Sequence, residues 1–325
     1  MLARCPYEAD QGVMMTVGTT DMIAGTELTA DSAGLPSVST TYLQGVVDFG
    51  VRCGLSARAL LLRAGIGDAD LADAEARYPV DTLIALLRAG AELTSDPAFA
   101  LHFGLHVPCD QVSLAAPLGR SATNVADALE IVNRYAPLTI DFPACRGGDR
   151  YAFATDRAGL WLCDNRPADS WQEITELVFA RMVQGIRRIQ RTDVVRAVYV
   201  RHAAPAHRCS YDEVFGVPVH FGSGRNAMLL DPSYLLTDLT PGPSHVTRIL
   251  AAHANAQLAE LEKRKSCRGR LEVELRKVLH TGNVGIAQVT RRLSMTATRV
   301  WLRSGCGKAL FESLNQRTSK QSLRR

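Results

Sequence analysis

The sequence predicts an α+β fold: an N-terminal helical and antiparallel-sheet domain followed by a small all-α helix-turn-helix segment. Three observations carry this. Apolar residues recur at helical spacing through most of the first half, from Leu43 to Tyr135. Beyond it, strand-like runs and one long amphipathic stretch follow each other without the regular alternation of a doubly wound sheet. The breaker Thr240-Pro241-Gly242-Pro243 then separates these elements from a basic end with helical patterning.

Residues 1–38 are rich in Gly, Thr, Ser, Ala and Asp and show neither helical nor alternating periodicity, so they read as a disordered leader. Leu43, Val46, Val47 and Gly50 fall on one face of a first helix, and Leu60, Leu61, Ala64 and Ile66 mark a second that ends near Gly65 and Gly67. Val80 to Leu93, Pro97 to His106 and Val125 to Tyr135 also read as helices. Tyr151 to Thr155 and Gly159 to Cys163 flank an Asp156-Arg157 turn as a hairpin. Ser170-Trp171-Gln172-Glu173 has the pattern of a capping box, and Ile174, Val178, Met182, Ile186 and Ile189 follow it on one helical face. Val194 to Val200, Val219 to Phe221 and Ala227 to Leu230 are further strands. After the breaker, Ser244 is a candidate N-cap, and Val246, Leu250, Ala254, Leu258 and Leu261 form a stripe suited to docking on the first domain or pairing with a second copy.

The chain has 325 residues, enough for about two domains on a prior of roughly 150 residues each. With 46% hydrophobic and 22% charged residues it has the composition of an ordinary soluble globular protein. No apolar run approaches the roughly 20 residues of a membrane-spanning helix, and residues 1–38 contain no signal-peptide core. The eight cysteines include no Cys-x-x-Cys pair, so they are expected to be reduced, mostly buried and cytoplasmic.

Charge is divided unevenly. From Lys263 to Arg325 there are 16 Lys and Arg against 3 Glu, a net of +13, whereas Met1 to Glu262 carries a net of -9. All five lysines lie in the last stretch. A concentrated basic segment is attracted to a polyanion through counterion release, and an acidic companion domain stays clear of it. Within the basic stretch, Leu271, Val273, Leu275, Val278 and Leu279 mark one helix, Thr281-Gly282-Asn283 a turn, and Ile286, Val289 and Leu293 another helix. Ser294-Met295-Thr296 turns the chain into the next helical piece. Such paired helices present the second to the major groove of DNA. Thr296, Thr298, Arg299 and Arg303 would address base edges or phosphates, and Arg291 and Arg292 would hold the backbone.

Across Leu43 to Met295 the chain resembles the AraC/XylS-type transcriptional regulators of the branch with an arabinose-binding-like N-terminal domain. The resemblance lies in Leu61-Leu62-Arg63-Ala64-Gly65-Ile66, in Asp96-Pro97 with Leu101-His102-Phe103-Gly104, and in Arg201-His202 with Pro205. Tyr211, Phe215-Gly216-Val217-Pro218-Val219-His220-Phe221, Asn226 and His253-Ala254 continue it. It implies a regulatory domain over residues 39–239 that senses a small-molecule effector and often dimerises. It further implies a linker helix over 240–265 and a helix-turn-helix DNA-binding domain over 266–325. The implied partners are promoter DNA, an effector, a second copy of the chain and RNA polymerase, with no membrane and no cofactor. The end departs from the family pattern. Ser304 stands where members carry an apolar residue, Leu302 where they carry a basic one, and Gly305 and Gly307 where a recognition helix should finish. A second helix-turn-helix would not fit before Arg325. A shortened or frame-shifted C-terminal domain is therefore expected, and the alternative function is a ligand-binding or dimerising module that no longer binds DNA.

No Gly-x-Ser-x-Gly elbow, dinucleotide fingerprint or Walker lysine is present, and no enzymatic activity is expected. His102, His106 and Cys109 have the spacing of a metal-binding cluster, but packed helix is the simpler reading. His202, His207 and Cys209 form a looser group, structural or close to an effector. Trp161 and Trp171 could line a ligand cavity, although aromatics beside strands are more often core. No effector-binding residue is identified.

Overall fold

The computed structural model describes residues 35–67, 71–142, 148–167, 171–190, 193–242 and 244–265. The chain divides into two compact units, Met1–Ala251 and Ala252–Arg325. Ser170, expected to open a capping box, and the whole helix-turn-helix segment lie outside the described residues.

The fold starts earlier than the sequence suggests. Ser37–Ser39 form β1, and Val38 is fully buried, inside the stretch expected to be a leader. β1 is the central strand of a three-stranded antiparallel sheet between β2 (Arg77–Pro79) and β3 (Ile140–Asp141). Strands of two or three residues carry no periodicity, so only their pairing reveals them. The Arg77 guanidinium locks this sheet: it donates to the Ser37 carbonyl at 3.1 Å and to the Pro137 and Leu138 carbonyls at 2.9 and 2.8 Å.

The Ser39 hydroxyl accepts from the Tyr42 N–H at 3.3 Å and caps α1 (Thr40–Arg52). α1 buries Tyr42, Leu43, Val46, Val47, Phe49 and Gly50, a stripe close to the expected one. α2 (Ala57–Arg63), α3 (Val80–Thr94) and α4 (Phe99–His106) follow as the periodicity predicts. α5 (Cys109–Val112) and α6 (Ala115–Gly119) are single turns with no sequence signature, and α7 (Val125–Thr139) is capped by Asn124.

α8 (Gln172–Ile189) is the central helix. It buries Ile174 to Ala180 without interruption, together with Val183 and Ile186, so a single-stripe description understates it. Ile189, placed on the apolar face from the sequence, is half exposed. α8 lies so close to α4 that a Cβ added at Gly104 would stand 2.2 Å from the Leu177 carbonyl oxygen. Glu173 does not serve the helix cap; it accepts from Arg88 Nε at 2.6 Å.

The second sheet has the order β4-β5-β8-β6-β7. β4 (Tyr151–Asp156) and β5 (Gly159–Asp164) form the predicted hairpin, with the two-residue turn at Arg157-Ala158, one place beyond the expected Asp156-Arg157. β8 (Asn226–Leu230) joins β5 to β6 (Val195–Tyr199), both antiparallel. The sheet is antiparallel as expected except at its edge, where β7 (Val219–His220) runs parallel to β6. The cause is α9 (Arg208–Phe215), a crossover helix between them that had no clear sequence signal. Leu160, Leu162, Val198, Met228 and Leu230 face the same continuous core as Leu177, Phe179 and Val183 of α8. Trp161 and Tyr199 lie on the opposite face, their rings 5.0 Å apart.

α10 (Ser244–Lys265) follows the Pro-Gly breaker. Ala254 and Leu261 are buried as its stripe predicts, but Val246 is 43% exposed. Among the described residues no helix is long and apolar enough to cross a membrane. The expectation that the cysteines are mostly buried does not hold for those described: Cys53 and Cys209 are exposed, and Cys109 and Cys163 are free thiols of intermediate burial.

Candidate functional site

The small sheet, the β4–β5 hairpin and α8 converge on a set of charged side chains that the hydrophobic core encloses. Asp164, at the end of β5, is wholly buried. Its Oδ2 accepts from Arg166 Nε at 2.7 Å, its Oδ1 accepts from the Arg166 N–H at 3.2 Å, and Arg150 Nε lies 3.5 Å from Oδ1. Arg166 Nη2 donates to the Thr175 hydroxyl of α8 at 2.7 Å. Phe142, next to β3, is the shared platform: the Arg150 and Arg166 guanidiniums stand 4.9 and 5.6 Å from its ring centre, and the Trp171 ring is 6.2 Å away. Burial alone would raise the Asp164 carboxyl, and the Arg166 and Arg150 guanidiniums more than offset it, holding the group below the ordinary carboxylate range.

A third arginine comes from farther along α8. Arg181 Nη1 donates to the Tyr42 hydroxyl at 2.6 Å and Nε to the Val107 carbonyl at 3.2 Å, with its guanidinium over the rings of Tyr42 and Phe103. Burial pushes the phenols of Tyr42 and Tyr151 and the thiol of Cys109 up from their ordinary values. Arg166 Nη1 and Arg181 Nη2 are shielded from solvent and have no acceptor.

A second polar cluster occupies the α8–α9 side. One oxygen of the buried Glu176, Oε1, accepts from Tyr211 Oη at 2.6 Å and from Gln172 Nε2 at 2.8 Å, and His207 Nε2 lies 2.8 Å from it. Burial, then the neighbouring Glu176 carboxylate, push the Tyr211 phenol far up. His202 Nε2 lies 3.3 Å from the same hydroxyl. His202 and His207 are therefore brought together as the sequence grouped them, while the exposed Cys209 does not join them.

The other grouped residues serve the helices. His102 Nδ1 lies 2.7 Å from Asp96 Oδ2, and the His106 ring stacks on Phe49 with centres 6.5 Å apart. Among the described residues no group of three His, Cys, Asp or Glu side chains is placed to hold a metal ion. Trp171 borders the arginine cluster and donates from Nε1 to Asp81 at 3.1 Å. Trp161 does not border it; it lies on the far face of the sheet beneath Arg225, 4.4 Å from its ring centre. Arg291, Arg292, Thr296, Thr298, Arg299 and Arg303, expected to read DNA, lie outside the described residues.

Sequence reasoning missed Arg150, Arg166 and Arg181. One signal was present: Arg181 interrupts the apolar run Leu177-Val178-Phe179-Ala180 to Met182-Val183, where a solvent-facing arginine would not be expected.

Among solved structures the chain is similar to the transcriptional regulator CdpR from Pseudomonas aeruginosa, with 19% identity over 72% of this chain and 79% of that one. The TM-score of 0.39 is too low to carry any inference about the site. No curated protein matches the sequence. The family model for the arabinose-binding domain of AraC transcription regulators, N-terminal, matches residues 54–239, from the entry to α2 through the end of the second sheet and the 3-10 turn Pro232–Leu236. That match spans more than half of the 325 residues and contains Arg150, Arg166 and Arg181, and the chain belongs to the AraC transcription regulators that carry this N-terminal domain.

Proposed function

We propose that the chain is a cytoplasmic, ligand-responsive transcriptional regulator. Its N-terminal domain, residues 39–239, senses a small molecule, the helix within 240–265 links, and the helix-turn-helix segment 266–325 contacts promoter DNA. The observation that carries this reading is the charge division, a net of -9 up to Glu262 and +13 beyond it, in a chain whose acidic part holds the AraC-type regulatory domain. In this reading Arg291 and Arg292 hold phosphates, and Thr296, Thr298, Arg299 and Arg303 address base edges or phosphates. The effector acts by binding unequally to two arrangements of the chain, or of a dimer, one of which engages promoter DNA and RNA polymerase productively.

The test is retardation of promoter fragments by the full chain across a salt series. With all four arginines on phosphates, affinity would fall about a hundredfold between roughly 50 and 200 mM salt, and by less with two. Arg299→Ala combined with Arg303→Ala is expected to reduce binding further at every salt concentration. No retardation at low salt would remove the DNA-binding half of the proposal.

A further inference from the structure

Arginine does not shed its proton inside a protein, so a buried guanidinium without a counter-anion is a charge that the fold leaves uncompensated. Arg181 is in that position. Its polar contacts among the described residues are a hydroxyl and a carbonyl, and its Nη2 has no acceptor. Burial works against its charge, and the groups that oppose this are Tyr42, Cys109 and Tyr151, all three protonated and neutral at pH 7. Arg166 contributes a second donor without an acceptor, Nη1, while its other nitrogens are held by Asp164 and Thr175. Arg166 has Asp164 as its counter-charge at 2.7 Å, whereas Arg181 has none among the described residues.

We infer that a small organic carboxylate binds at Arg181, with one oxygen accepting from its Nη2. A carboxylate supplies the negative charge and the acceptor that Arg181 lacks among the described residues. The rings of Tyr42 and Phe103, already beneath this guanidinium, provide apolar contact for the rest of the molecule. The inference rests on the ligand-sensing reading above and adds to it the chemical class of the effector.

The experiment follows thermal unfolding of the full chain with acetate, butyrate, octanoate and benzoate, each compared with its uncharged amide at matched ionic strength. At least one carboxylate is expected to raise Tm with dose while its amide does not. Arg181→Gln should weaken that carboxylate by about tenfold or more, the effect of losing a charge-assisted hydrogen bond. Arg120→Gln, at an exposed pair with Asp110, should leave it unchanged. Should Arg181→Gln fail to fold, Arg181→Lys, which keeps the charge but lacks Nη2, is expected to lose about tenfold as well. The proposal is overturned if no carboxylate shifts Tm, or if the shift survives in the Arg181 variants. It is also overturned if amides act as strongly as acids. That last result would leave the ligand-sensing reading standing, and failure to retard DNA bears on that reading alone.

Discussion

Replacing Asp164 with Ala is expected to destabilise the N-terminal domain by about 3–5 kcal/mol, enough to unfold a marginal protein. Asp164 is the shared acceptor for Arg166, at 2.7 Å, and Arg150, at 3.5 Å, and its own side chain is wholly buried. Removing it strands the enclosed Arg166 guanidinium and takes an ion-pair partner from Arg150, so the loss comes from uncompensated buried charge rather than from a single ion pair. Urea denaturation followed by circular dichroism measures it; a loss below about 1 kcal/mol would mean that the arginines find other partners. The pH dependence has a definite sign. The folded carboxyl sits below its unfolded value, so its contribution is fully present above about pH 4 and fades as acid takes the pH down through the folded pKa. Asp164→Asn, if it folds, should therefore show a shallower acid decline than the parent.

Gly104→Ala is expected to cost about 3 kcal/mol, at the upper end for overpacking. The added Cβ would stand 2.2 Å from the Leu177 carbonyl oxygen and 2.7 Å from its Cα, both backbone atoms of α8. No side-chain rotamer can relieve such a contact, so α4 and α8 must move apart and the core between them must open. Gly185→Ala on the same central helix is the matched control. Nothing lies within 4 Å of its added Cβ, and the better helix propensity of Ala should stabilise the protein by about 0.5–1 kcal/mol. Opposite signs for the two substitutions in thermal unfolding would support the close α4–α8 approach; a neutral Gly104→Ala would refute it.

Much of the fold was legible because long amphipathic segments carry their own period. α1, α3, α7 and α8, and the strands β4, β5, β6 and β8, lie close to where periodicity set them. The family pieces were also present as short strings, and Gly104 in Leu101-His102-Phe103-Gly104 now has a physical reason: only hydrogen fits where two helix backbones meet. What escaped was short or relational. β1, β2 and β3 have at most three residues each, α5 and α6 are single turns, and the parallel edge at β7 depends on a crossover helix whose eight residues show no strong pattern. The hairpin turn moved by one residue because register is settled by pairing along the whole of β4 and β5.

Sequence by itself determined the α+β class, the family, and the segregation of negative from positive charge, because composition, period and short motifs are properties of neighbours along the chain. Tertiary structure alone decided that Arg150, Asp164, Arg166 and Thr175 meet in one polar cluster and Tyr42, Val107 and Arg181 in another, although these residues are spread over two helices, one strand and the loops around them. Arginine is mostly a surface residue, so nothing local to these positions announces burial. Their electrostatic meaning arises only when folding removes the water that would otherwise have screened each charge.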